Sequence, residues 1–158
     1  MNETISSRAF AVLALLLALM LSACSPAPAE QPPLQGAAIG GPFTLTDQDG
    51  RRVSDSDFDG KYRLVYFGFS YCPDVCPVDL QLVGQAMRQL EASDPKIAAK
   101  IQPIFISVDP ERDTPAVLKE FVGAFHPRLI GLTGTPEEIA EVAKRYGIYF
   151  ARMGEEGD

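Results

Sequence analysis

Leu64-Val65-Tyr66-Phe67-Gly68-Phe69-Ser70-Tyr71-Cys72-Pro73-Asp74-Val75-Cys76-Pro77 decides how the rest of the chain is read. Its first six residues show no polar alternation, the mark of a strand buried on both faces in the middle of an α/β sheet. Two cysteines follow in a loop punctuated by proline. After Pro77 the period changes: Leu82, Val83, Ala86, Met87 and Leu90 fall on one helical face, and a helix is expected from about Val78 to Leu90. Pro77 suits the first helical position, and Asp79 places negative charge where the helix dipole favours it. Strand, loop and helix in this order bring reactive groups to the carboxyl end of a sheet, facing a helix N-terminus.

Before this stretch the chain reads as an export signal. Arg8 precedes an uninterrupted apolar run from Ala9 to Leu21, short for a bilayer span but the length of a signal-peptide core. It leads into Leu21-Ser22-Ala23-Cys24, which looks like a bacterial lipobox with Cys24 as the lipidated residue; the alternative is an ordinary signal peptide cut near Ala23. The division expected is residues 1–23 as signal peptide, 24–42 as a Pro/Ala/Gly-rich tether and 43–158 as one domain. Extended at ~3.1 Å per residue, the tether reaches on the order of 50 Å. It would hold an exported domain off a membrane, facing the periplasm or cell exterior. With 46% hydrophobic and 22% charged residues the chain is globular in composition, and a net charge of −7 without a dense Lys/Arg run argues against nucleic acid as a partner.

Along the domain, Phe43–Thr46 and Arg51–Ser54 flank Asp47-Gln48-Asp49-Gly50 as a hairpin. Ser93-Asp94-Pro95 ends the first helix. Ile104–Val108 reads as a second buried strand with Pro103 near its start. Thr114-Pro115 opens a helix to about Phe125, and Leu129–Leu132 is a third strand. Thr135-Pro136 opens a helix with Ile139, Val142, Ala143 and Tyr146 on its apolar face; Gly147 closes it and Ile148–Ala151 begins another strand. The order β-α-β-α-β-α-β predicts an α/β layered domain.

Of three cysteines in an exported chain, one is assigned to lipid and two remain, too few for a disulfide scaffold. Thiols at a helix N-terminus have lowered pKa values. Two thiolates make a soft site that selects Cu(I), with zinc as competitor, and zinc's usual tetrahedron lacks a second Cys or His pair. The rival chemistry is dithiol–disulfide exchange, although redox pairs more often have two intervening residues than three. A purely structural staple across so small a loop gains little. Peroxide reduction is disfavoured by the absence of a Thr/Ser-x-x-Cys context and an activating Arg near Cys72.

Tyr66–Pro77 (YFGFSYCPDVCP) resembles the copper motif of the SCO/SenC family, exported thioredoxin-fold proteins that help assemble the copper centre of cytochrome c oxidase. Ser107–Pro115 (SVDPERDTP) and Phe125–Gly134 (FHPRLIGLTG) are similar to two further family segments, and the likeness covers about residues 40–152. The resemblance implies an α/β, thioredoxin-like, three-layer fold around a central mixed sheet. It implies copper, as Cu(I) or Cu(II), on Cys72 and Cys76, with a third ligand from a histidine in an Asp-His pair. Its partner is implied to be the copper-bearing oxidase subunit or another copper carrier. That Asp-His pair is not in this sequence. The final strands and helix are expected beyond Asp158, the domain as written is expected to fold poorly, and its Cu(II) binding is expected to be weak.

The single histidine, His126, matches a different, non-ligand family position; locally it is read as an imidazolium offsetting a helix C-terminus. Asp109 and Asp74 are candidates for carboxylates just behind the ligands, with turn formation and helix initiation as the plain alternatives. Tyr71 flanks the site and is read as aromatic packing. The functional reading is a copper-holding assembly factor; the alternative is an exported thiol:disulfide oxidoreductase acting on the cysteines of a copper-site protein.

Overall fold

The structure, a computed structural model, describes residues 36–151. The apolar run, Cys24, most of the tether and the acidic end of the sequence lie outside the described residues. Among those described, no helix is long and apolar enough to cross a membrane.

Strands β1 (Thr44–Asp47) and β2 (Arg52–Ser54) form the expected hairpin, with Leu45 opposite Val53. Gly50 closes its turn at φ +79°, a conformation that favours glycine. A 3₁₀ turn (Asp55–Phe58) leads to β3 (Tyr62–Gly68), which is followed by helix α1 (Val75–Ser93) and the short helix α2 (Pro95–Ala98). Then come β4 (Ile101–Ser107), α3 (Pro115–Gly123), β5 (Ile130–Thr133) and α4 (Pro136–Arg145). The strand order is β2-β1-β5-β4-β3; β3, β4 and β5 run parallel, and β1 is antiparallel to both its neighbours. The sheet is therefore mixed, and the fold is α/β as expected.

Alternation along the central strands makes two cores. Ile104 and Ile106 of β4 join Leu45, Phe58, Leu132, Ile139 and Val142 on the face covered by α4 and the 3₁₀ turn. Phe105, between them in sequence, joins Leu80 of α1 and Leu118 and Val122 of α3 on the opposite face. Period-two alternation thus sorts one strand between two helical layers, giving three layers in all. The caps agree with the sequence: Thr114 accepts from the Val117 N–H at 3.4 Å, and Thr135 forms a reciprocal capping box with Glu138.

Several elements differ from the reading. Among the described residues β3 has a neighbour, β4, on one side only, and Leu64, read as part of a run buried on both faces, is exposed together with Tyr62. Helix α1 begins at Val75, so Pro77 is its third residue and Asp79 lies beyond the first turn. Its buried face is Cys76, Leu80, Gly84 and Met87, while Leu82 and Ala86 face solvent. Gly84 sets that face: a Cβ there would stand 2.5 Å from the Phe125 carbonyl oxygen, so the helix backbone packs where the pattern placed larger side chains. Ile148–Ala151 is not a strand; Ile148 N–H instead bonds the Ala143 carbonyl at 2.8 Å, behind Gly147 at φ +67°. At the other end, the chain is pinned from Gly40, whose N–H donates to Arg145 O at 2.8 Å; Arg145 also donates to Pro42 O.

Candidate metal centre

The ladder between β3 and β4 ends where the cysteine loop begins. Gly68 pairs with Ser107, and the Val108 N–H donates to the Gly68 carbonyl at 2.8 Å. Beyond this point β3 parts from β4. The Cys72 N–H turns back to the Phe69 carbonyl at 3.2 Å, and three residues later α1 starts, with Cys76 in its first turn. Cys72 is half-buried and Cys76 buried, and both are free thiols.

The two sulfurs are in hydrogen-bonding contact, but their surroundings differ. Burial opposes charge on Cys72, yet the backbone N–H groups of Asp74, Cys76 and Val75, together with the Cys76 thiol, outweigh it; its pKa lies below the ordinary thiol value. Burial pushes the Cys76 thiol up, as do its hydrogen bond and proximity to Cys72, only partly offset by the Phe69 N–H and Tyr66. These surroundings set the two thiols apart, with Cys72 the more readily deprotonated of the pair.

Cys76 sits in a tight cradle. A Cβ on Gly68 would stand 2.9 Å from Cys76 Sγ, 3.0 Å from Tyr66 Cε1 and 3.1 Å from Phe105 Cε2. Glycine is required here by close approach, not by backbone twist. Tyr66 donates its hydroxyl to Asp79 Oδ2 at 3.0 Å.

The remaining candidates distribute as follows. Asp74 is the residue before α1; its carboxylate is exposed and makes no capping bond, and its backbone N–H serves Cys72. Asp109 is buried and ion-paired with Arg112, whose guanidinium lies 4.9 Å from the Tyr71 ring centroid and 5.8 Å from that of Phe69. Tyr71, exposed, packs under this arginine. A cavity of ≈ 440 Å³ opens beside Phe69, Asp109 and Arg112, but neither cysteine lines it.

His126 is buried; its Nδ1 accepts the Arg128 N–H at 3.2 Å, and its Nε2 lies 3.4 Å from Glu91 Oε2 without the aim of a hydrogen bond. Its partners are on the loop before β5 and on α1, not in the cysteine loop. Among the described residues, no three His, Cys, Asp or Glu side chains stand together as a metal cluster. The fit to a metal therefore rests on two sulfurs, a donor pair suited to a soft, low-coordinate ion.

Sequence reasoning missed Asp113. This carboxylate, fully buried, accepts from the Ser70 N–H at 2.9 Å, from the Ser70 hydroxyl, and from the Ser107 hydroxyl at 2.5 Å. The available signal was a third acidic residue in Asp109-Pro110-Glu111-Arg112-Asp113, immediately before a Thr-Pro cap.

A profile of the SCO1/SenC family matches residues 31–158. The chain belongs to the SCO1/SenC family. The chain is 46% identical, over 127 residues, to the mitochondrial SCO1 homolog 1 of Arabidopsis thaliana, covering 80% of this chain and 37% of that protein. The chain spans little more than a third of the length of that curated relative. Among solved structures, the copper-bound ScoI of Arabidopsis thaliana superposes with a TM-score of 0.69 at 47% identity, covering 75% of this chain and 72% of that one. The copper-bound ScoI of Bradyrhizobium japonicum gives 0.67 at 47% identity, covering 77% and 75%. These neighbours bear out the family and the thioredoxin-like fold expected for this SCO1/SenC chain.

Proposed function

We propose that this SCO1/SenC chain carries one copper ion as cargo between Cys72 and Cys76 and passes it to a copper site of cytochrome c oxidase or to another copper carrier. The observation that carries this reading is the adjacent, unlike thiol pair at the end of β3, one sulfur half-buried with its pKa held below the ordinary thiol value, the other buried with its pKa raised. Copper-bound structures of similar proteins support the choice of ion.

The residues suggest an order of events. Cys72, the more accessible, meets incoming Cu(I) first, and Cys76 supplies the second thiolate; any proton still on either sulfur leaves to solvent as that sulfur binds. Release reverses the order, with a competing ligand approaching at Cys72. Two soft donors hold Cu(I) well and leave it open to exchange. A lipid on Cys24, followed by the tether of residues 24–42, would anchor the domain at an exported membrane face.

The test is Cu(I) titration of the full chain and of Cys72→Ser, Cys76→Ser and the double variant. Each single change should remove most binding. Stoichiometric Cu(I) on the double variant overturns the assignment. The intact mass of the membrane-associated N-terminus tests the lipid, and an unmodified Cys24 rejects it.

The same unlike pair favours a second reading, thiol:disulfide exchange, with Cys72 as attacking thiolate and Cys76 as resolving thiol. A Cys76→Ser chain that traps a mixed disulfide with a copper-site protein, while the wild type holds no Cu(I), selects it.

A further inference from the structure

We infer that Asp113 is the positioning residue of the dithiol: through Ser70 it fixes the turn that presents Cys72 to Cys76. This rests on the copper reading for its biological meaning, but its geometry stands apart from any metal. At Gly68 the parallel ladder still runs to β4. Two residues on, the Ser70 N–H has no strand partner and donates instead to Asp113 Oδ2 at 2.9 Å. A side chain from the β4–α3 loop thus takes over from the sheet where β3 leaves it. The Ser70 hydroxyl closes a second bond to the other carboxylate oxygen, so the serine is gripped at backbone and side chain together. Ser107, the last residue of β4, donates to Asp113 Oδ2 at 2.5 Å and accepts the Asp109 N–H at 3.0 Å, tying the grip to the sheet end.

The carboxylate is itself held. The N–H groups of Arg112 and Asp113 both turn to the Asp109 carbonyl, at 3.2 Å and 2.9 Å, and Thr114 caps α3 next in the chain. Among the described residues its hydrogen-bond partners are two serines, through three bonds, and no cation, with the start of α3 next in the chain. A fully buried carboxylate is a costly way to close a loop unless the loop must be held in one place. The segment it holds ends two residues before Cys72, and the next residue, Tyr71, lies under Arg112 of the same loop.

The experiment uses the full chain with Cys24→Ser, so that Cys72 and Cys76 are its only thiols. Asp113→Asn keeps the shape but weakens the grip; Ser70→Ala removes the hydroxyl alone. Asp47→Asn is the control, because Asp47 is equally buried but hydrogen-bonded to Asp49 and Arg51 in the β1–β2 turn. Two quantities are read. One is Cu(I) affinity by chelator competition. The other, free of copper, is the equilibrium of the pair with a glutathione buffer, in which two thiols yield two electrons and two protons to glutathione disulfide. That equilibrium reports the effective concentration of one thiol at the other. In Asp113→Asn the affinity should fall about 10- to 100-fold, the range for groups behind a ligand shell. The effective concentration should fall with it, and the Ser70→Ala effect should be smaller and non-additive with Asp113→Asn. Asp47→Asn should lower the melting temperature and leave both quantities unchanged.

Wild-type values of both quantities in a folded Asp113→Asn chain overturn the inference. So does an Asp47→Asn chain that loses as much of each. Should Asp113→Asn not fold, Ser70→Ala decides alone: a change in both quantities supports the inference and none overturns it. A wild-type chain without Cu(I) binding sinks the copper reading, while the glutathione equilibrium still judges Asp113.

Discussion

The Tyr66 hydroxyl, on β3, donates to Asp79 on α1 at 3.0 Å and also touches the Cys76 sulfur. Burial, first, and these two contacts push the Tyr66 pKa above the ordinary tyrosine range, so its proton stays in place at any working pH. That proton favours charge on Cys76. Tyr66→Phe should therefore raise the Cys76 pKa further. In the proposed site Cu(I) takes both sulfurs deprotonated, so uptake by the variant should weaken on the acid side and converge with wild type at alkaline pH. The lost hydrogen bond should cost about 0.5–1.5 kcal/mol of stability. Cu(I) affinity measured across pH, beside thermal melting, checks both; parallel pH curves would reject the link to Cys76.

Gly68→Ala should be felt at the sulfur. Its Cβ has Cys76 Sγ at 2.9 Å and two aromatic edges at 3.0 and 3.1 Å, all inside ordinary contact. Overpacking of this kind costs about 1–3 kcal/mol. Gly131→Ala is the useful comparison, because its Cβ would meet Val122 Cγ1, also at 2.9 Å, on the α3 side. Both variants should lose stability, but only Gly68→Ala should lose Cu(I) affinity. Equal copper binding in the two would show that the cradle does not position Cys76.

Much of this was legible before any coordinates. Thr114, Thr135 and Gly147 announce their helix ends through side-chain and backbone chemistry that acts within a few residues. Cys72 and Cys76 declare their partnership by spacing alone. What the chain does not announce is set across long sequence separations. The exposure of Leu64 on β3 depends on what packs beside that strand. The buried face of α1 depends on Gly84 meeting Phe125, 41 residues away by their numbers. Asp113 reaches Ser70 from 43 residues away, and no local pattern marks such a contact.

His126→Ala separates the lone histidine from the metal question. The ring is buried, holds the Arg128 N–H, and faces Glu91. Arg128 in turn donates to the Ala98 and Ile101 carbonyls, so this corner joins α1, α2 and the start of β4. Truncation leaves a part-buried N–H without its acceptor and a small void where the buried ring stood, a loss of about 1–3 kcal/mol. Cu(I) stoichiometry and affinity should match wild type in any preparation that folds. A specific loss of copper with an unchanged melting temperature would make His126 a ligand.

The order in which the two thiols react follows from their surroundings. Cys72 is the more accessible, and the N–H groups at the start of α1 hold its pKa below the ordinary thiol value. Cys76 is buried, and that burial with its bond to Cys72 holds its pKa above it. Near neutral pH, iodoacetamide should therefore modify Cys72 first, with Cys76 following only after a clear lag. Raising the pH through the Cys76 value should shrink the difference in charge but not the difference in access, so the preference should narrow without reversing. Cys76→Ala removes a donor to Cys72 and should slow its alkylation, since the Cys72 pKa then moves back towards the ordinary value. Peptide mapping after timed quenching, from about pH 6 to 10, resolves the order; modification of Cys76 first would mean that the accessible thiolate is not Cys72.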